Sequence, residues 1–296
     1  MFSRREILMF KFLPGTVSDM ADRLNVYPGT VSKITERMMK NGLARKQREG
    51  KKVFIYKEQT GHSQELEEII DFFPRLPIEE ILSYSNLKLI SWLGYPLDLD
   101  ELCQIVDVSR QWIYKKIREL GSYGIITKEK KGFAINPYHR KIQDFAKKYY
   151  DYKNHRKVKS IAEDASIIWQ HGNEFLFKTK KDIESYQGTA VVVFSKYNLP
   201  MTGDYKYYYN TERKLETADF ILHTVLINPL SKTYNGFACL LYEKTKPSDL
   251  VKKARIYGLV EHVEKMISFI KNEGSEKNFL PSWDEYESLA KQYGVR

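Results

Sequence analysis

The spacing of apolar residues over the first 58 positions predicts three helices followed by a β-hairpin. Apolar residues recur at helical intervals in "SRREILMFKFL" and in "TVSDMADRL", where Thr16 is placed to cap the second helix. Pro28 suits the first turn of the third helix, because that turn has no internal partner for its N–H group. "LARKQ" and "KKVFIY" then predict two strands joined by a bend at Gly50.

The third helix has two faces of different chemistry. At 100° per residue, one face is apolar and is predicted to be buried, and it is formed by Val31, Ile34, Thr35 and Met38. The opposite face is polar and basic. Three helices and a hairpin form a winged helix-turn-helix, in which the third helix enters the major groove of DNA and the hairpin lies along the adjacent backbone. We therefore expect residues 1–60 to bind double-stranded DNA through Thr30, Ser32, Lys33, Arg37, Lys40, Arg45, Lys46, Arg48, Lys51 and Lys52.

The stretch from Thr16 to Gly61 resembles the DNA-binding region of MarR-type and related winged-helix transcription regulators. The likeness rests on "TVS" at the start of the third helix, on "NGLARK" before the hairpin, and on the apolar strand that precedes "TG". The hairpin sequence "REGKK" lacks the Asp-x-Arg usual in MarR proteins. The resemblance implies a DNA-binding regulator, and reversing the charges of Lys33 and Arg37 is expected to abolish binding with the fold intact.

The same pattern recurs 82 positions later, which predicts a second winged helix-turn-helix over residues 76–138. Thr16 aligns with Asp98 as a helix cap, and Gly50 aligns with Gly132 at the hairpin bend. "LPIEEILSYSNLKLISWLG" supplies the first helix of this copy. Trp112 leaves a protein interface open as an alternative to DNA binding. The expected DNA contacts of the second copy are Arg110, Gln111, Lys115, Arg118, Lys128 and Lys130.

Two helical segments flank the second copy. Residues 61–75 are acidic and carry an apolar stripe, which predicts a linker helix that packs on one module. Residues 139–159 are basic, and their apolar stripe is formed by Ile142, Phe145, Ala146 and Tyr149. This second helix could serve as a solvated linker, a phosphate-contacting helix or a dimerisation helix.

Residues 160–296 have the pattern of an α+β domain. "SIIWQHGNEFLFKTK" predicts a hairpin around "HGN", and "TAVVVFSKY" predicts a buried strand. Later segments predict helices with caps at Thr217, Ser248 and Ser282. The predicted fold class is thus α+β: two tandem winged helix-turn-helix domains, then a domain with a small antiparallel sheet and a helical tail.

Three stretches of this last domain resemble the C-terminal domain of AbiEi-type antitoxins and of archaeal winged-helix proteins that carry a similar domain. They are "LETADFILHTVLINP", "DLVKKARIYG" with "VEHVEKMISFIKNEG", and "WDEYESLAKQYGV". The resemblance implies either an antitoxin that represses its own operon or a regulator. The AbiEi antitoxins usually carry one winged helix, whereas this chain is predicted to carry two.

Charge is concentrated in two segments of the chain. The formal net charge is +10, and residues 1–58 contain 13 basic and 6 acidic side chains, while residues 139–159 contain 8 and 2. An anionic partner such as nucleic acid fits this distribution. No metal-ligand spacing, phosphate-binding glycine loop or catalytic constellation is recognisable, so we expect no enzyme activity, cofactor or metal. His223 lies on an apolar helix and is expected to be a core residue.

Taken together, these patterns predict a sequence-specific DNA-binding transcription regulator. Its C-terminal domain would serve sensing, oligomerisation or binding of a protein partner, and a homodimer would match a palindromic site. The alternatives are an AbiEi-like antitoxin and a protein-binding adaptor of transcription or replication machinery. No apolar run approaches the roughly 18 residues of a membrane span, so a cytoplasmic location is expected.

Overall fold

The computed structural model describes residues 2–274 and 278–296. It is a mixed α+β structure in which helices predominate and the sheets are small and antiparallel. The described residues form two compact units. Unit 1 extends to His155 and includes His171–Asn173, and unit 2 contains Arg156–Gln170 and Glu174–Arg296.

The first segment of unit 1, residues 4–57, has three helices and a three-stranded sheet. Its elements are α1 (Arg4–Phe12), β1 (Gly15–Thr16), α2 (Val17–Leu24), α3 (Pro28–Lys40), β2 (Ala44–Glu49) and β3 (Lys52–Lys57), and α4 (Gly61–Phe72) follows. The strand order is β1-β3-β2, and both pairings are antiparallel. The two-residue strand β1 was not expected, because so short a segment has no periodicity.

The local signals that predicted α2 and α3 are confirmed. Thr16 accepts a hydrogen bond from the backbone N–H of Asp19, and the Asp19 side chain accepts one in return from the Thr16 N–H. Pro28 is the first residue of α3. The four side chains predicted for the inner face of this helix are all buried, namely Val31, Ile34, Thr35 and Met38.

The second segment, residues 78–135, likewise ends in two helices and a β-hairpin. Its elements are α5 (Ile78–Ile81), α6 (Tyr84–Trp92), α7 (Leu99–Val106), α8 (Arg110–Ser122), β4 (Ile126–Glu129) and β5 (Gly132–Ile135). The expected single first helix is therefore two helices, α5 and α6. The bounds of α7 and α8 lie 82 residues after those of α2 and α3 at both ends. Asp98 caps α7 in the position of Thr16.

The offset of 82 does not continue through the second hairpin. Its turn is formed by Lys130 and Lys131, whereas Gly132 pairs with Glu129 as the first residue of β5. The expected bend at Gly132 is therefore wrong, because the second hairpin has shorter strands. Gly132 has φ +141°, and a Cβ there would overlap the backbone of Leu97, which pairs with Phe133.

After each hairpin, one side chain binds the glycine that follows the helix before that hairpin, α3 or α8. Gly42 and Gly124 both adopt the left-handed conformation just after α3 and α8, with φ +67° and +71°. The Thr60 hydroxyl donates to the Gly42 carbonyl at 2.7 Å, and the Asn136 amide donates to the Gly124 carbonyl at 2.9 Å. The two segments thus share this closure as well as their helices.

The acidic and basic helices that were predicted from charge pair with each other within unit 1. The helix α9 (Arg140–Ile161) begins after the second hairpin, and only residues 140–155 belong to unit 1. Lys141 forms an ion pair with Glu68 of α4, and Lys148 forms one with Glu65. The apolar stripe predicted for α9 is buried, as are Leu66 and Ile69 of α4. Part of the basic charge of α9 is therefore neutralised by α4.

Unit 2 combines a four-stranded sheet with five helices in its described residues. The strands are β6 (Ser166–His171), β7 (Glu174–Thr179), β8 (Gln187–Gly188) and β9 (Lys206–Asn210), in the order β6-β7-β9-β8. The helices are α10 (Thr217–Ile227), α11 (Lys232–Thr245), α12 (Leu250–Ala254), α13 (Val260–Lys271) and α14 (Trp283–Gln292). The predicted hairpin is β6 and β7, and Gly172 and Asn173 form its turn.

Three predictions for unit 2 need correction. The apolar run expected to be a buried strand is a 3₁₀ helix, Ala190–Tyr197, which buries Val193 and Phe194 on one side. A short apolar run does not distinguish these two outcomes. The cap of α10 is Glu216 instead of Thr217, and the cap of α12 is Asp249 instead of Ser248. Ser282 caps α14 as expected.

Across the described residues, no helix combines the length and the apolar composition that a bilayer-spanning segment requires.

Candidate nucleic-acid interface

The outer face of α3 presents basic side chains to solvent. Lys33, Arg37 and Lys40 are exposed, while Thr30 and Ser32 are half-buried. The Ser32 hydroxyl donates to the Pro28 carbonyl at 3.2 Å, within its own helix. Three of the five polar residues predicted on this helix are therefore exposed, and they are the three cations.

Arg37 is held by a buried carboxylate. The Glu6 side chain on α1 is completely buried, and its Oε1 accepts a hydrogen bond from the Arg37 Nε at 3.1 Å. The other carboxylate oxygen accepts the Ser3 backbone N–H at 2.5 Å. The Arg37 side chain is nevertheless 55% exposed. Because Nε binds Glu6, the two terminal nitrogens remain for another partner, and within the described residues they form no hydrogen bond.

The same contact changes what substitution of Arg37 does to the protein. Arg37→Glu would place a second carboxylate beside the buried Glu6 and would remove the ion pair of that buried charge. We therefore expect that reversing the charge of Arg37 destabilises the fold, unlike the outcome expected from the sequence alone. Lys33 is exposed and forms no hydrogen bond or ion pair within the described residues, so charge reversal at position 33 is the cleaner test.

The five basic residues of the first hairpin do not share one surface. Residues paired across an antiparallel sheet lie on the same face. Lys46 and Arg48 pair with Ile55 and Val53, so these four residues form one face, and Lys51 lies in the turn. The remaining two cations, Arg45 and Lys52, lie on the opposite face with Tyr56, Phe54, Gln47 and Glu49.

Contacts within the hairpin further distinguish these two faces. The Arg45 guanidinium lies 5.3 Å from the centre of the Tyr56 ring and donates to the Gln47 side chain at 3.0 Å. The Tyr56 hydroxyl donates to Glu49 at 2.5 Å. The Arg45 face therefore carries an acidic side chain. On the other face, which also includes the pair Ala44 and Lys57, every hairpin residue is either basic or apolar. Lys46 and Arg48 therefore meet no acidic neighbour from the hairpin itself.

Tyr27 is a candidate contact that the sequence did not suggest. It precedes α3 as the N-cap residue, forms no capping hydrogen bond through its side chain, and is 85% exposed. N-cap positions favour Ser, Thr, Asp and Asn, so an aromatic residue there is the signal that could have drawn attention. Its ring extends the surface of α3 at the end that enters the groove in helix-turn-helix proteins.

The second segment exposes most of its predicted contacts but in a different chemical setting. Gln111, Lys115, Arg118, Lys128 and Lys130 are exposed. Arg110 is exposed too, but it donates to Asp100, with Nε at 2.9 Å, so its charge is compensated locally.

The outer face of α8 differs from that of α3 at equivalent positions. With the offset of 82, Glu119 takes the place of Arg37, and Trp112 and Tyr114 take the places of Thr30 and Ser32. Glu119 accepts hydrogen bonds from Lys116 at 2.8 Å and from Asn86 at 3.3 Å. A groove of about 710 Å³ follows this face and is lined by Tyr114, Lys115, Arg118, Glu119 and Ser122. The face is thus mixed in charge and partly aromatic.

Unit 2 contains a buried network of charged groups. Arg213 donates through both terminal nitrogens to Asp219, at 2.9 and 2.7 Å, and Lys253 donates to the same carboxylate at 3.0 Å. Burial acts to raise the pKa of Asp219, but the hydrogen bonds from Arg213 outweigh it and hold this pKa below its ordinary value. Because these charges are mutually paired, the network favours a structural role.

His223 belongs to the same network and is a satisfied core residue, as predicted. Its two ring nitrogens lie 2.7 Å from the Thr189 hydroxyl and 2.9 Å from the Tyr257 hydroxyl. Burial lowers the pKa of His223 to about 3, so the ring is neutral near pH 7. In the part of the chain that the structure describes, no three His, Cys, Asp or Glu side chains are grouped so as to hold a metal ion.

The comparison with known proteins finds a family match for part of unit 2. Residues 183–295 match the family model described as HVO_2833_C, C-terminal, which is the C-terminal domain of an uncharacterised archaeal protein. The match lies outside the basic surface of unit 1. No curated protein matches the chain significantly.

Proposed function

We propose that this protein is a DNA-binding transcription regulator whose first segment is a winged helix-turn-helix. In this proposal α3 enters the major groove and the hairpin of β2 and β3 follows the adjacent backbone. The observation that carries the proposal is the outer face of α3, where three exposed cations stand opposite a fully buried apolar face. With 13 residues, α3 is about 20 Å long, enough to lie in a major groove.

Some side chains of α3 would contact phosphates and so position the helix, and others would contact base edges and so read the sequence. Lys33 and Lys40 would neutralise phosphates, and each neutralised phosphate releases counterions, so that affinity falls with salt. Arg37, oriented by Glu6, would present its terminal nitrogens to a guanine edge or a phosphate. Preorientation of this kind lowers the side-chain entropy that is lost on binding.

The second segment is proposed to contribute less to DNA affinity. Glu119 stands where the first segment has Arg37, and this half-buried carboxylate offers no positive charge to a phosphate. The aromatic residues on the same helix favour contact with protein, since Trp and Tyr are enriched in interfaces. This observation makes a protein-binding adaptor the second candidate function, with α8 as its contact surface.

The test compares two lysines at equivalent positions of the repeat. Lys33→Glu on α3 is expected to weaken binding of duplex DNA at least about tenfold at moderate salt and to flatten the dependence of log affinity on log salt by about one. Lys115→Glu on α8 is the matched control and is expected to change affinity less than about threefold. Fluorescence anisotropy with labelled random duplexes, titrated at several salt concentrations, measures both effects.

The two candidate functions give opposite results in this experiment. Equal loss of affinity in both variants would remove the distinction between the segments. If the unmodified protein shows no salt-dependent affinity for duplex DNA, the regulator is rejected and the adaptor is favoured. The antitoxin interpretation is a form of the regulator proposal, and it requires in addition that a toxin encoded next to this gene be bound.

A further inference from the structure

Unit 2 contains a groove that DNA binding by unit 1 does not use. Its volume is about 470 Å³, within the range of roughly 300–1,000 Å³ typical of small-molecule sites. We call it the tyrosine groove, and its walls include Val191, Val192, Met201, Tyr205, Tyr207 and Tyr234. Val192 and Tyr205 are each 36% exposed, so two large apolar side chains meet solvent inside one concave surface.

One wall of the groove has a hydroxyl proton without an acceptor. Tyr207 and Tyr234 approach each other with their hydroxyl oxygens 3.1 Å apart, and Tyr207 is only 5% exposed. Either hydroxyl can donate in this hydrogen bond, but only one proton is used by it. Within the described residues neither hydroxyl has another partner. Tyr234 is half-buried and both residues line the groove, so the second proton is available to an acceptor of a ligand bound there.

Basic side chains gather at Tyr205 on the rim. The Lys178 and Lys180 ammonium groups lie 4.6 and 5.7 Å from the centre of the Tyr205 ring. Neither lysine forms an ion pair within the described residues. In the lining itself, Lys206 is paired with Asp182, which lies outside the lining, and Asp204 is the acidic residue. Among the described residues, the basic charge at this rim that is not compensated by an ion pair is therefore that of Lys178 and Lys180.

We propose that the tyrosine groove binds a nucleoside 5′-monophosphate. The base would pack against Tyr205 and Val192, because every nucleobase offers a flat ring for stacking on an aromatic side chain. The phosphate would pair with Lys178 and Lys180, and a ring nitrogen or carbonyl would accept the unused hydroxyl proton of the Tyr207–Tyr234 pair. The inference is independent of the proposed function, since every group that it uses belongs to unit 2.

Calorimetric titration of the full-length protein with AMP, GMP, CMP and UMP is the direct test. At least one of the four is expected to bind with a Kd below about 1 mM. Two fragments of the mononucleotide that binds serve as comparisons: its nucleoside, such as adenosine, which lacks the phosphate, and ribose 5-phosphate, which lacks the base. Each is expected to bind at least about tenfold more weakly than the mononucleotide. A 5′-phosphorylated single-stranded hexanucleotide distinguishes a free nucleotide from the end of a strand.

Variants then assign the binding to the groove. Tyr205→Ala and the double variant Lys178→Gln/Lys180→Gln are each expected to weaken nucleotide binding about tenfold, and only the second should leave nucleoside binding unchanged. Tyr207→Phe/Tyr234→Phe removes both hydroxyls together, because either single change would leave one proton unused. The control is Tyr138→Ala, an exposed tyrosine of unit 1.

The results for these variants either support or overturn the proposed nucleotide site. Replacing both hydroxyls of a buried pair by isosteric apolar groups is nearly neutral for stability, so an unchanged melting temperature shows that the double variant is folded. The proposal is overturned if no mononucleotide binds at several times 1 mM, or if binding survives both the Tyr205 and the double tyrosine substitutions. Much tighter binding of the hexanucleotide than of any mononucleotide would assign the groove to a nucleic-acid strand and would also overturn it.

Discussion

Arg37 joins the stability of the first segment to its surface chemistry. Its Nε binds a carboxylate that is completely buried, while the Arg37 side chain as a whole is 55% exposed. Removing one partner of such a pair leaves a buried charge without compensation. Arg37→Glu is therefore expected to lower the free energy of unfolding by about 3 kcal/mol, whereas Lys33→Glu, on the exposed face, should change it by no more than about 0.5 kcal/mol. Urea unfolding followed by tryptophan fluorescence measures both.

A double-mutant cycle isolates the contact between these two residues. Glu6→Gln and Arg37→Gln are each expected to destabilise the protein, and the double variant should be less destabilised than the sum of the two, since it leaves no buried charge unpaired. Strict additivity would show that Glu6 and Arg37 do not interact in solution.

At the residue scale, burial could be predicted from the sequence and pairing could not. Periodicity identified the buried face of α3 because each turn of a helix repeats every 3.6 residues. The partner of Arg37 lies 31 positions earlier on another helix, and only the packing of α1 against α3 brings the two together. The spare proton of Tyr207 and Tyr234 likewise depends on contact between a strand and a helix.

The first hairpin allows its two faces to be tested against each other. If it follows the DNA backbone, the face without an acidic neighbour should lie on the phosphates. Lys46→Gln/Arg48→Gln is then expected to reduce the slope of log affinity against log salt by about two, and Arg45→Gln/Lys52→Gln by less than one. The second variant is the matched control, as it removes the same charge from the same hairpin. The reverse ranking would show that the opposite face of the hairpin lies on the phosphates.

Elements with a regular period were predictable, and those fixed by tertiary contact were not. The helices α2, α3, α7 and α8 follow from their apolar spacing, and the caps Thr16 and Asp98 further indicate the starts of α2 and α7. The 3₁₀ helix at Ala190–Tyr197 resembles a strand in sequence because three consecutive valines suit either state. The short second hairpin was misaligned because Gly132 serves close contact with Leu97 instead of a turn.

Stability of the whole molecule should depend on buried histidines below neutral pH. Burial lowers the pKa of His223 to about 3, and that of His171 and of His262 to about 4. The unfolded chain protonates these rings near pH 6.5, so between pH 6.5 and 4 it binds more protons than the folded chain. Their contribution is therefore full above pH 6.5 and is lost as pH falls, by up to about 1.4 kcal/mol per pH unit for each ring.

Thermal melting between pH 7.5 and 4.5 checks this dependence. The melting temperature is expected to fall steadily over this range and to fall less steeply in His223→Gln. The exposed His155 provides the control, because His155→Gln should keep the wild-type slope. A melting temperature that is constant from pH 7 to 5 would contradict the assignment of neutral, buried rings.

The sequence showed where basic charge is concentrated along the molecule. It did not show which basic side chains form ion pairs in the folded protein. The basic run of residues 139–159 suggested a phosphate-binding helix, yet Lys141 and Lys148 are engaged with Glu68 and Glu65. The helix α4 therefore neutralises two of the eight basic side chains of this run. Ion pairs between two segments 73 and 83 positions apart depend on the tertiary fold.

The one-to-one correspondence of helix bounds at an offset of 82 makes the two third helices interchangeable in design. Exchanging only their solvent-facing side chains would leave each apolar seam and each glycine closure untouched. Such chimeras would carry the same surface twice, or with the order reversed, on one polypeptide. The residues that contact DNA would then be exchanged as one set, while the helices and the core that hold them stay the same.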